Sequence, residues 1–129
     1  MCKVQALSLP ELQDKVIITM AGDHGVVAEG VSGWPQEVTV QMLANFVQGG
    51  AAINVLARHV GARVVVVDMG VASPFNLEGV LNCKIRAGTD NLAQGPAMSR
   101  EEAMASLEAG IRVVNNEIAR GAQVIGTGD

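Results

Sequence analysis

Residues 16–32, VIITMAGDHGVVAEGVS, decide the fold. The run opens with five residues, VIITM, that are apolar or β-branched and stops at Gly22. Continuous rather than alternating apolarity is the mark of a strand buried on both faces, as in a parallel sheet. Gly22 and Gly25 then bracket Asp23 and His24. A carboxylate and an imidazole directly after a buried strand make a poor plain turn. They are well placed at the rim of a pocket at the carboxyl edge of a sheet.

Two further segments repeat the pattern. Residues 63–69 (RVVVVDM) stop at Gly70, and residues 123–126 (QVIG) run into Thr127, Gly128 and Asp129. Helical spacing fills the intervals. Over residues 37–48, Val40, Leu43 and Val47 form one stripe with Phe46 beside it; over 50–60, Ile53, Leu56, Ala57 and Val60 predict a buried face. Ser99 with Glu102 is a capping box, Ala103, Leu107, Ile111, Val114 and Ile118 form the stripe of the third helix, and Gly121 ends it. LNCKIRA (81–87) reads as a short extra strand and GTDNLAQGP (88–96) as loop. Right-handed crossovers then give an α/β, Rossmann-like fold, a mainly parallel sheet flanked by helices. Residues 1–129 read as a single domain, and an incomplete one, because the last strand reaches the ligand edge with nothing after it and leaves an apolar edge.

Composition narrows the class. With 49% hydrophobic residues but one Trp, two Phe and no Tyr, the core must be built from Val, Ile, Leu, Met and Ala. A net charge of −4 carries no basic footprint, which argues against a nucleic-acid partner. No signal-peptide pattern or membrane-length apolar run is read, so a cytoplasmic protein with no membrane partner is expected. Cys2 and Cys83 have no ligand spacing and read as reduced thiols.

Asp23, Asp68 and Asp129 each stand at the end of a strand, so a parallel sheet would gather them at one edge. They either cap the following turns or bind ribose hydroxyls. His24 reads as acid/base, ligand or hydrogen-bond donor. No metal site is expected, because His59 sits within a helix, where it reads as solvated. Trp34, next to Pro35, is either packing filler or one wall of a flat aromatic pocket. Met20, Met42, Met69, Met98 and Met104 read as core filler. Gly49-Gly50 and GTGD (126–129) do not complete a dinucleotide fingerprint.

Three blocks, AGDHGVVAEGVS (21–32), PQEVTVQMLANFVQGGAAINVLARHVGARVVVVDMGV (35–71) and KIRAGTDNLAQGPAMSREEA (84–103), resemble successive motifs of one family. It is the nicotinate-nucleotide–dimethylbenzimidazole phosphoribosyltransferases of cobalamin nucleotide-loop assembly. The resemblance runs from about Val16 to Asp129. It implies a homodimeric enzyme without metal or cofactor that moves the phosphoribosyl group of nicotinate mononucleotide to 5,6-dimethylbenzimidazole. The products would be nicotinate and α-ribazole 5′-phosphate. It also implies a substrate-binding set of Asp23, His24, Gly25, Ser32, Trp34, Pro35, Met42 and Gly128, with Asp129 as an auxiliary acid. Family members are longer, continue past Asp129 into a Gly-rich Asn-Thr-Thr stretch, and carry their main base far downstream. The chain alone is therefore expected to be inactive. The alternative is a stand-alone module that binds a nucleotide or benzimidazole without catalysis.

Overall fold

The computed structural model describes residues 12–129. Four strands, β1 (Lys15–Gly22), β2 (Ala62–Gly70), β3 (Val80–Asn82) and β4 (Val124–Gly128), form one sheet in the order β3-β2-β1-β4. All three pairings are parallel. A 3-10 turn (Gly25–Glu29), α1 (Glu37–Gln48) and α2 (Ala52–Val60) connect β1 to β2, and α3 (Arg100–Ala119) connects β3 to β4. The α/β, parallel, helix-flanked reading therefore holds. The extra strand is confined to Val80–Asn82 rather than extending through 81–87.

Alternation along the strands sends side chains to two layers. Val16, Ile18 and Val67 face α3, where Val113 completes a buried cluster with Val114 and Ile125 against it. Val66 and Val71 face α1, where Leu43 is fully buried and Val40 and Phe46 pack beside it. Each fully buried side chain of this size stabilises by about 1.5–3 kcal/mol. The helices thus lie on opposite faces, and the strand order reverses between β1 and β4.

Taken together, Glu37–Val60 is long and apolar enough to cross a membrane by length and composition, which the sequence reading missed. It is two helices, broken where Gly49 takes φ 78° and donates to the Phe46 carbonyl at 3.1 Å. An L side chain is strained at that φ, so glycine makes the break.

The expected helix faces need correction. On α2 only Ala57 of the predicted stripe is buried, while Leu56 and Val60 are exposed and Ile53 is half-buried. Asn54 is buried instead, because its side chain accepts from Ala51 N–H (3.2 Å) and donates to the Phe46 carbonyl (3.1 Å). On α1, Val47 is exposed. On α3 the Ser99–Glu102 capping box forms as read, but the buried face is Ala109, Val113 and Glu117, while Leu107, Ile111 and Ile118 are exposed. Glu117 is tolerated there because Arg63 (2.7 Å) and Arg120 (3.0 Å) neutralise its two oxygens. Met42 and Met104 are exposed rather than core filler, whereas Met20 and Met69 pack on the core. Cys83 is a free thiol, His59 is exposed, and Cys2 lies outside the described residues.

Thr19, on β1 facing the α1 layer, is buried with its hydroxyl unpartnered. Thr19→Val removes that hydroxyl at nearly constant shape, so the variant should be more stable by about 1 kcal/mol. Urea unfolding checks this; a destabilised variant would mean that the hydroxyl has a partner.

Candidate functional site

In an open parallel sheet the ligand crevice lies outside the carboxyl ends of the strands, where strand order reverses. Here that point is flanked by the end of β1 and the end of β4. The loop leaving β1 is held by main-chain bonds: Asp23 N–H donates to the Gly70 carbonyl (3.1 Å), and the Asp23 carbonyl accepts from Thr89 N–H (3.0 Å).

Asp23 is 5% exposed. One oxygen accepts from the Thr39 hydroxyl at 2.6 Å and the other from Ala72 N–H at 2.7 Å. A carboxylate with both oxygens in short bonds works as a staple between β1, α1 and the loop after β2. His24 is exposed, and its carbonyl starts the 3-10 turn by accepting from Val27 N–H (3.1 Å) while the Gln36 amide reaches it at 3.4 Å. Gly25 sits directly on the 89–91 backbone, donating to the Thr89 carbonyl at 3.1 Å. That support is pinned in turn. The Arg86 guanidinium forks onto Asp90 (2.9 and 2.7 Å) and holds its carboxyl below the usual range. Glu29 accepts from Asn91 at 2.6 Å.

Between this loop and α1 lies a cleft of about 550 Å³. Val27, Val31, Val38, Met42 and Phe46 form apolar walls, and Trp34 and Pro35 stand with them in its lining. Trp34 is 73% exposed, its backbone N–H donating to the Ser32 hydroxyl at 3.1 Å. The polar lining is Asp23, His24, Ser32, Gln36, Thr39 and Asp129; among the described residues no Lys or Arg lines it.

Of the residues singled out from the sequence, Asp23, His24, Ser32, Trp34, Pro35, Met42 and Asp129 meet in this cleft. Gly25 and Gly128 are not in its lining; Gly25 underlies the loop, and Gly128 is the last residue of β4. Asp68 stands apart. It caps its own turn by accepting from Gly70 N–H (3.0 Å) and Val71 N–H (2.9 Å), and pairs with Lys84 at 3.2 Å. The three strand-end carboxylates therefore do not form one cluster. Thr39 and Gln36 went unread, and Phe46 was read only beside a helix stripe. Thr39, Met42 and Phe46 share one helical face at spacings of three and four residues, the signal that could have found them. Among the described residues no group of His, Cys, Asp and Glu could hold a metal ion.

Comparison with known proteins places this geometry. A family model described as Phosphoribosyltransferase (DBI_PRT) matches residues 1–129. The nicotinate-nucleotide–dimethylbenzimidazole phosphoribosyltransferase of Desulforamulus reducens is 54% identical over 128 residues, covering 98% of this chain and 36% of the relative. That of Geobacter sulfurreducens is 54% identical over 121 residues, covering 93% and 34%. The crystal structure of the Thermus thermophilus enzyme of that name superposes with a TM-score of 0.92 at 49% identity, over 98% of this chain and 38% of that one. The chain thus spans about a third of the length of the relatives it matches.

Proposed function

This chain belongs to the DBI_PRT phosphoribosyltransferase family, and on that premise we propose that it forms the base-binding part of an enzyme. That enzyme moves the phosphoribosyl group of nicotinate mononucleotide to a ring nitrogen of 5,6-dimethylbenzimidazole. The observation that carries the proposal is the switch-point cleft: apolar walls, an exposed indole, and no lysine or arginine among the described residues. Such a lining suits a flat, uncharged heterocycle and does not suit a phosphate, whose binding is assigned to residues beyond those described.

The chemistry follows from the same lining. A ring nitrogen of the bound base attacks the anomeric carbon while nicotinate leaves with the electrons of the broken C–N bond, inverting the configuration. The ring N–H proton needs an acceptor. Asp23 is poorly suited, since both its oxygens are engaged, so it shapes the pocket. Asp129 brings a carboxylate to the cleft as an auxiliary acid, and the main base lies elsewhere in the longer enzyme. We further infer a cytoplasmic homodimer that uses no metal. The exposed outer face of α2, with Val55, Leu56 and Val60, supports a protein contact there.

Trp34 supplies the test, because it is the only Trp in a chain with no Tyr. Dimethylbenzimidazole should change its emission at submillimolar ligand, with no nicotinate released when nicotinate mononucleotide is added to this chain alone. In calorimetry Trp34→Ala should weaken binding about ten-fold, the value of one lost aromatic stack. An unchanged Trp34 signal up to millimolar ligand would remove the base-site assignment. Turnover matching a full-length relative would remove the assignment of the main base to other residues.

A further inference from the structure

Most polar side chains of the cleft are already engaged with the protein. Both Asp23 oxygens accept hydrogen bonds, one of them from the Thr39 hydroxyl. The Ser32 hydroxyl accepts from Trp34 N–H (3.1 Å) and donates to the Trp34 carbonyl (3.3 Å). His24 and Asp129 line the cleft as exposed residues. Gln36 differs from all of these: it is half-buried, it lines the cleft, and its amide is largely unengaged.

Among the described residues that amide makes one hydrogen bond, from its nitrogen to the His24 carbonyl at 3.4 Å, which is long. The carbonyl has a closer donor in Val27 N–H (3.1 Å), so the contact orients the amide more than it holds it. A carbonyl can only accept, so the amide nitrogen must be the end that faces His24. The amide oxygen and the second N–H are then left for a ligand. A structural purpose is missing as well. Gln36 stands at the N-cap of α1, yet its side chain makes no cap bond, and glutamine is not a residue that normally caps there. The reaction proposed above engages both ring nitrogens of the base, one as nucleophile and the other as the N–H that loses its proton. Any further polar contact must go to a substituent on the ring edge.

Resting on the base-site reading, we propose that Gln36 is a specificity-determining residue whose amide oxygen accepts a hydrogen bond from a hydroxyl or amino substituent on the bound base. It thereby raises the affinity of the cleft for such a base relative to the methyl analogue, which the apolar walls bind by shape alone. Because the amide is half-buried rather than sealed, the gain is that of one hydrogen bond between neutral groups, about five-fold.

Calorimetry on this chain with 5-hydroxy-, 5-amino- and 5-methylbenzimidazole tests the proposal, since the three substituents are close in size. Gln36→Met and Gln36→Leu should each bind the methyl base as the parent does. For the hydroxy and amino bases, affinity relative to the methyl base should fall about five-fold in both variants. Both should unfold at the parent's urea concentration, because the amide caps nothing. Affinity ratios that are the same in parent and variants overturn the proposal and assign the substituent to His24, Asp129 or solvent. An equal loss for all three bases also overturns it, by making Gln36 a wall of the cleft without selectivity. If none of the three binds the parent chain, the base-site reading falls and this inference with it.

Discussion

Asp23→Ala is expected to destabilise the fold by about 3 kcal/mol and to open the cleft. The native carboxylate accepts two short hydrogen bonds, from the Thr39 hydroxyl (2.6 Å) and Ala72 N–H (2.7 Å). Hydrogen bonds to charged groups contribute about 1.5–3 kcal/mol each, and donors left buried without acceptors add a desolvation cost. The Thr39 hydroxyl can rotate to another acceptor, which is why the expected loss stays near the low end for two bonds. Asp23→Asn separates shape from charge. An amide offers one acceptor, so one of the two donors would meet an N–H group, and the loss should be about half. Urea unfolding measures both, with dimethylbenzimidazole affinity as the second readout. Because Asp23 joins β1 to α1, its loss should weaken ligand binding along with stability. A stable Asp23→Ala variant that no longer binds ligand would show instead that the carboxylate contacts the base directly.

The strands were legible because burial on both faces leaves an uninterrupted apolar run, and VIITM and RVVVVDM are such runs. The start of α3 was legible because its cap is local, Ser99 and Glu102 satisfying each other within four residues. Which face of each helix points inward was not. On α3 the strongest apolar stripe points outward, while the sheet takes a face containing Ala109 and Gly110, small enough for close approach, and Glu117. A buried glutamate there depends on Arg63, distant in the chain, and no local pattern announces such a partner. The site divides in the same way. The residues beside the Asp23–His24 loop were legible because that loop has no simple structural purpose. Thr39 was not, because its role depends on a bond to Asp23 formed only when α1 packs against β1. Asp68 shows why position alone did not decide: at an equivalent strand end, sequence left open a turn cap or a ribose contact, and its side chain folds back onto the Gly70 and Val71 amides as a cap.

Gly25→Ala should be as damaging as the loss of Asp23, for a steric reason. Gly25 is not in the left-handed region; what requires glycine is proximity. A β-carbon there would stand 2.6 Å from the Thr89 carbonyl oxygen and the Asp90 carbonyl carbon, and 2.7 Å from Asn91 N. All three are backbone atoms, so no side chain can rotate away. The 89–91 segment cannot retreat freely either, since Arg86 grips Asp90 and Glu29 grips Asn91. Forcing a methyl into such a contact costs about 1–3 kcal/mol. The Gly25–Thr89 hydrogen bond would be stretched as well, giving about 3 kcal/mol in total. The 3-10 turn that carries Val26 and Val27 into the cleft would move with it, so affinity for the base should fall several-fold. Gly33→Ala is the control: it lies in the next loop with nothing within 4 Å of its virtual β-carbon, and should stay within about 0.5 kcal/mol of the parent. If Gly25→Ala unfolded at the same urea concentration as Gly33→Ala, the close approach that seats this loop would not be what holds the cleft in shape.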